Sequence, residues 1–91
     1  MNTVSRDIKI INRRGLHARA SAKFVNMADR FDAHITVTKD GMSVDGGSIM
    51  GLMMLAAGLD STISVAAEGH DAEAAITAIA DLIEAKFGEE S

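Results

Sequence analysis

"AHITVTKDGMSVD", from Ala33 to Asp45, decides the fold. Ile35 and Val37 alternate with His34, Thr36 and Thr38, the pattern of a strand with one buried face. "MSVD" reads as a further short strand. Asp40-Gly41 between them is a two-residue hairpin signal, because both central residues of such a turn need positive φ. Upstream, "TVSRDIKII" sets Val4, Ile8 and Ile10 on one face and Ser5, Asp7 and Lys9 on the other. Downstream, "STISVAAE" does the same with Ile63, Val65 and Ala67. Four strands follow, each with one apolar face.

Three helices fit between and after these strands. From about Ala18 to Arg30, Phe24, Ala28 and Phe31 recur at helical spacing. A short helix is expected from Ser48 to about Ala57, ended near Gly58. From about Asp71 to Phe87, Ala72, Ile76, Ile79 and Ile83 form an apolar stripe. The order is β-α-β-β-α-β-α, an α+β chain. One-faced strands and one-striped helices predict a four-stranded antiparallel sheet with all helices on one side, and Asp7, Thr36 and Ser64 toward water. Spacing alone leaves a ferredoxin-like sandwich with an added helix open. Residues 1–91 suit one domain, with 88–91 expected as a short frayed tail.

Composition excludes several function classes. The chain has no cysteine, so disulfides, thiol chemistry and cysteine zinc sites are ruled out. His17, His34 and His70 are scattered without ligand spacing, and neither a metal nor a cofactor is expected. A net charge of −4 and three aromatic residues, all Phe, argue against nucleic-acid binding. No apolar run reaches the roughly 18 residues of a membrane span, and "MNTVSRDIKII" lacks a signal-peptide core. A cytoplasmic monomer is the expectation.

"NRRGLHARASAKF", Asn12 to Phe24, carries the chemistry. Gly15 permits a sharp bend after the first strand. His17 then falls at the start of a helix, where backbone N–H groups lack partners and the dipole favours an anion. The same positive potential favours a neutral imidazole, which is a nucleophile. A phosphoryl group taken there would meet free N–H donors and Arg19, with Arg13 or Arg14 adding attraction. No Asp or Glu lies between Arg13 and Met27, so no local base is offered to hydrolyse a phosphohistidine, although a carboxylate from elsewhere in the fold could still approach. The bland alternative is a surface histidine acting as a weak cap.

"GGSIMGLMMLAAG" is the second informative stretch. Ser48 has the pattern of a helix N-cap. At about 100° per residue, Leu52 and Leu55 lie within about 60° of each other and face the sheet. Met50, Met53 and Met54 then fall on the flank or far side, with Ile49 at the boundary. Such a methionine-rich patch is suited to docking several partners.

Together, "GLHARASAKFV" and "SIMGLMML" resemble the HPr family, the histidine-containing phosphocarriers of the phosphoenolpyruvate-dependent phosphotransferase system, over essentially the whole chain. The resemblance implies an open-faced β-sandwich. It implies phosphorylation of His17 on Nδ1, phosphate stabilisation by Arg19, and modification of Ser48 by an HPr kinase/phosphorylase. It makes Ile49, Met50 and Met53 docking positions for Enzyme I and EIIA-type acceptors. The protein would be a covalently phosphorylated intermediate in a relay, not an enzyme. Ala20 stands where many members carry proline after the motif arginine. With "LMMLAAG" it looks like the regulatory, nitrogen-related branch. Two rivals are a binding-only regulator of the same fold acting through Ser48, and a ferredoxin-like ligand- or metal-binding domain.

Overall fold

The computed structural model describes residues 3–91, so the first two residues of the expected domain lie outside it. Chain order is β1 (Thr3–Lys9), α1 (Ala18–Ala28), β2 (His34–Lys39), β3 (Met42–Asp45), α2 (Ile49–Met54), β4 (Thr62–Glu68) and α3 (Ala72–Glu84), followed by a 3₁₀ turn over Lys86–Gly88. The hairpin forms as its residues dictate: Asp40 and Gly41 have φ of 50° and 83°, and Lys39 faces Met42 across the turn.

The strands make one sheet in the order β1-β4-β2-β3, with every pair antiparallel. β4 and β2 are central, and β1 and β3 are the edges. The apolar strand faces and helix stripes meet in one core. Ile8, Ile35, Val37, Ile63 and Val65 from the sheet are buried with Phe24, Leu52, Ile76, Ile79 and Ile83 from the helices. Burying each such side chain is worth roughly 1.5–3 kcal/mol against leaving it in water. On the opposite sheet face Asp7 is exposed and Thr36 and Ser64 are half-buried.

Helix ends depart from the sequence expectation for local reasons. α1 stops at Ala28, with Asp29 as its C-cap, short of Arg30. α2 stops at Met54, because Ala56 turns into the left-handed region at φ 52°. α3 stops at Glu84, because Lys86 and Phe87 both take positive φ and turn Phe87 into the core. Asp71 precedes α3 but does not cap it; its carboxylate accepts from the Asp32 N–H at 2.8 Å instead. The frayed tail expected from residue 88 contrasts with Gly88 and Glu89, whose N–H groups donate to Ala85 and Lys86 carbonyls at 2.9 Å each.

Candidate functional site

The site begins with a close approach of two loops. Gly15 has φ +63°, and a Cβ there would lie 2.3 Å from the Ala57 carbonyl oxygen. Only glycine fits both constraints. The approach lets the Leu16 N–H donate to that same carbonyl at 2.9 Å. It locks the loop before α1 against the loop after α2. His17 follows at once as the N-cap of α1, extended at φ −72°, ψ 177°. Its carbonyl accepts the Ser21 N–H at 2.8 Å, the first bond of the helix. The N–H groups of Ala18, Arg19 and Ala20 precede that bond and so have no intrahelical acceptor.

The His17 side chain makes no capping bond to its own helix. Its ring is mostly covered, with a side-chain exposure of 16%. Nε2 lies 2.5 Å from Glu89 Oε2. The other carboxylate oxygen, Oε1, accepts from Asn12 Nδ2 at 3.0 Å. Asn12 is fully buried, and its Nδ2 also donates to the Gly15 carbonyl at 2.9 Å. Two acceptors on one amide nitrogen fix its orientation. Asn12 Oδ1 is buried with no hydrogen-bond partner among the described residues.

Electrostatics hold Glu89 ionised. Burial raises its carboxyl, but hydrogen bonds from His17 and Asn12, with the charges at His17 and Arg14, more than offset this and hold it below the ordinary value of 4.5. When the ring is neutral, a carboxylate accepting from Nε2 selects the tautomer with hydrogen on Nε2, which leaves the lone pair on Nδ1. The two ring nitrogens point in divergent directions. Glu89 therefore sits on the far side of the ring from Nδ1, a poor position for activating water there.

The sequence offers no local carboxylate and leaves open one arriving from elsewhere in the fold, and Glu89 comes in from 72 residues away. Asn12 and Glu89 are the two site residues that the sequence reading missed. The clue to Asn12 was its position three residues before Gly15, where an amide can reach the bend. The clue to Glu89 was the Phe87-Gly88 pair, an aromatic anchor followed by a turn residue. Arg19 is exposed in the first turn of α1, two residues beyond His17.

α2 stands beside this site. Ser48 is its N-cap, and its hydroxyl accepts the Gly51 N–H at 2.9 Å. Leu52 and Leu55 are buried, as the helical spacing requires. Met50 and Met54 are exposed at 71% and 66%, and Ile49 and Met53 at 40% and 41%. Met53 lines a shallow depression with His17, Arg14, Leu16, Ala57 and Gly58. An incoming surface that covers the methionines therefore reaches the histidine. Among the described residues no group of three or more His, Asp or Glu is placed to hold a metal ion. Among the same residues no helix is long and apolar enough to cross a membrane.

Known proteins resemble this chain over its whole length. The family model described as "PTS HPr component phosphorylation site" matches residues 4–85. Phosphocarrier protein HPr of Cupriavidus necator is 46% identical over 94% of this chain and 97% of its own. Phosphocarrier protein NPr of Shewanella violacea is 42% identical over all of both chains. Among solved structures, an HPr from Thermoanaerobacter tengcongensis covers all of both chains at 47% identity with a TM-score of 0.90. An HPr from Bacillus anthracis covers 89% of this chain and 96% of its own at 43% identity, with a TM-score of 0.85. These matches exclude the ferredoxin-like alternative.

Proposed function

Because the chain belongs to the HPr family of phosphotransferase-system phosphocarriers, we propose that His17 is the residue that carries the phosphoryl group. Enzyme I, charged from phosphoenolpyruvate, supplies it, and an EIIA-type protein receives it. The observation that carries this reading is the His17 ring itself. It is an N-cap whose side chain is not used for capping, with Nε2 occupied and Nδ1 left as the nucleophile. A phosphoryl group on Nδ1 would lie near the N–H groups that open α1, and Arg19 adds positive charge. Both transfers are in-line displacements in which positioning and charge stabilisation carry the catalysis.

Docking is assigned to Ile49, Met50 and Met53, supported by their exposure and by the depression Met53 shares with His17. A monomer is the proposed working unit. Identity does not separate the two branches: the HPr of Neisseria meningitidis is 48% identical and the NPr of Shewanella violacea 42%. A regulatory output rests on Ala20 and the "LMMLAAG" run. Ser48 is the proposed regulatory phosphorylation site.

The test is direct. The protein is mixed with Enzyme I and labelled phosphoenolpyruvate. Acid-labile, alkali-stable label is expected, and His17→Ala should abolish it. Full biological activity of His17→Ala would instead favour a binding-only regulator acting through Ser48.

A further inference from the structure

Methionine is placed selectively in this chain. Beyond Met1, none of its methionines belongs to the buried core. Met27 packs partly against that core, and Met42 is exposed at the start of β3. The other three, Met50, Met53 and Met54, make up half of the six residues of α2. The side chains that α2 buries there are the sulfur-free Leu52 and Leu55. At about 100° per residue Met50 lies nearly opposite those leucines, with Met53 and Met54 on either side of it. The chain has no cysteine, so its thioethers are its only oxidisable sulfurs. Sulfoxidation turns a flexible apolar side chain into a polar one, which disrupts a core when the methionine is buried. On the outer face of α2 the same change leaves the packing intact and alters only what can dock there.

We propose that Met50, Met53 and Met54 are an oxidation site, through which a hydroperoxide weakens docking at the histidine face while the fold stays intact. This rests on the carrier reading of His17 and on docking through α2. In the step, a thioether lone pair attacks the terminal oxygen of the hydroperoxide and an S–O bond forms. The O–O bond breaks, and the proton of the transferred hydroxyl passes to the leaving oxygen, which departs as water or an alcohol. The sulfur loses two electrons and the peroxide gains them. Each sulfoxide oxygen is a hydrogen-bond acceptor that water satisfies on the free protein. An apolar partner surface seated on α2 strips that water and offers no donor in its place, so docking weakens. Met53 is the most sensitive position, because it lines the depression it shares with His17 and a surface that reaches the histidine covers it. The change is reversible, since sulfoxide reductases, one for each epimer, return the thioether.

The experiment treats the full chain with hydrogen peroxide, removes the peroxide, and then measures charging by phosphorylated Enzyme I. Peptide mass spectrometry should find sulfoxide at Met50, Met53 and Met54, with Met27 oxidised last. The urea unfolding midpoint should stay where it was. Charging of His17 should slow on the order of tenfold, and both sulfoxide reductases together should restore it. Two variants locate the effect. Met42→Leu removes an exposed thioether outside the docking helix and should slow after peroxide as wild type does. A triple variant, Met50→Leu with Met53→Leu and Met54→Leu, is compared with itself before and after peroxide, and its rate should not change, whatever its starting value. Complete oxidation of the three thioethers with an unaltered charging rate overturns the proposal. So does a triple variant that slows as much as wild type, or an unfolding midpoint that falls together with the rate. Untreated protein that takes no label overturns the carrier reading and the docking consequence with it, while the oxidation map and the unfolding midpoint are read without Enzyme I.

Discussion

The helix that begins at Ala18 and the one that begins at Ile49 are both preceded by a residue with extended backbone, His17 at ψ 177° and Ser48 at ψ 112°. Ser48 turns its hydroxyl back onto the Gly51 N–H and completes its own helix. His17 turns its ring away from its helix and onto Glu89. One side chain satisfies a backbone donor of its helix, whereas the other leaves its helix's donors uncapped. A cap of the Ser48 kind typically contributes about 1 kcal/mol. The start of α1 forgoes that contribution, and its first N–H groups have no intrahelical acceptor. α1 is instead tied from outside, by the approach of Gly15 and Leu16 to Ala57 and by the Lys23 bond to the C-terminal turn.

The strongest way to break the comparison is at that support. Gly15→Ala places a Cβ 2.3 Å from the Ala57 oxygen at φ +63°. The variant should lose at least about 2 kcal/mol in urea unfolding and take label poorly at His17. Unaltered stability would mean that the two loops are not locked. Next comes Ser48→Asp, which keeps a side-chain cap and adds charge beside Ile49, Met50 and Met53. It should fold as well as wild type yet be charged more slowly by Enzyme I, and equal rates would remove Ser48 from regulation. Ser48→Ala is its counterpart: about 1 kcal/mol of stability lost, with His17 labelling retained.

A smaller effect distinguishes the two caps by pH. Glu89 has a native value below the ordinary 4.5, so its contribution is fully present above 4.5 and is lost as pH falls through the lowered native value. The amide resonances of Gly88 and Glu89 should shift in that acid range, while those of Gly51 at the Ser48 cap should not. Glu89→Gln should abolish the shift. A tail indifferent to acid would disconnect Glu89 from His17.

Sequence alone carried the reading as far as local chemistry reaches. Alternation in "HITVTK" and "STISVAAE" marks one buried face, because side chains point to opposite sides of a strand. Asp40-Gly41 marks the hairpin, since positive φ is a local property. Ser48 is legible as a cap because its acceptor lies three residues away. The apolar and exposed faces of α2 follow from helical spacing and were read correctly. His17 as a helix start beside unpaired amides was equally local.

What only tertiary structure decided is whatever joins distant segments. The order β1-β4-β2-β3 follows from how the helices pack over one sheet face, which strand patterns leave open. Asn12 and Glu89 lie 77 residues apart in the chain and meet at one hydrogen bond. No periodicity encodes that meeting. It arises because Phe87 gains more by entering the core than Lys86 and Phe87 lose in left-handed backbone, and the carboxylate two residues on is carried to the histidine.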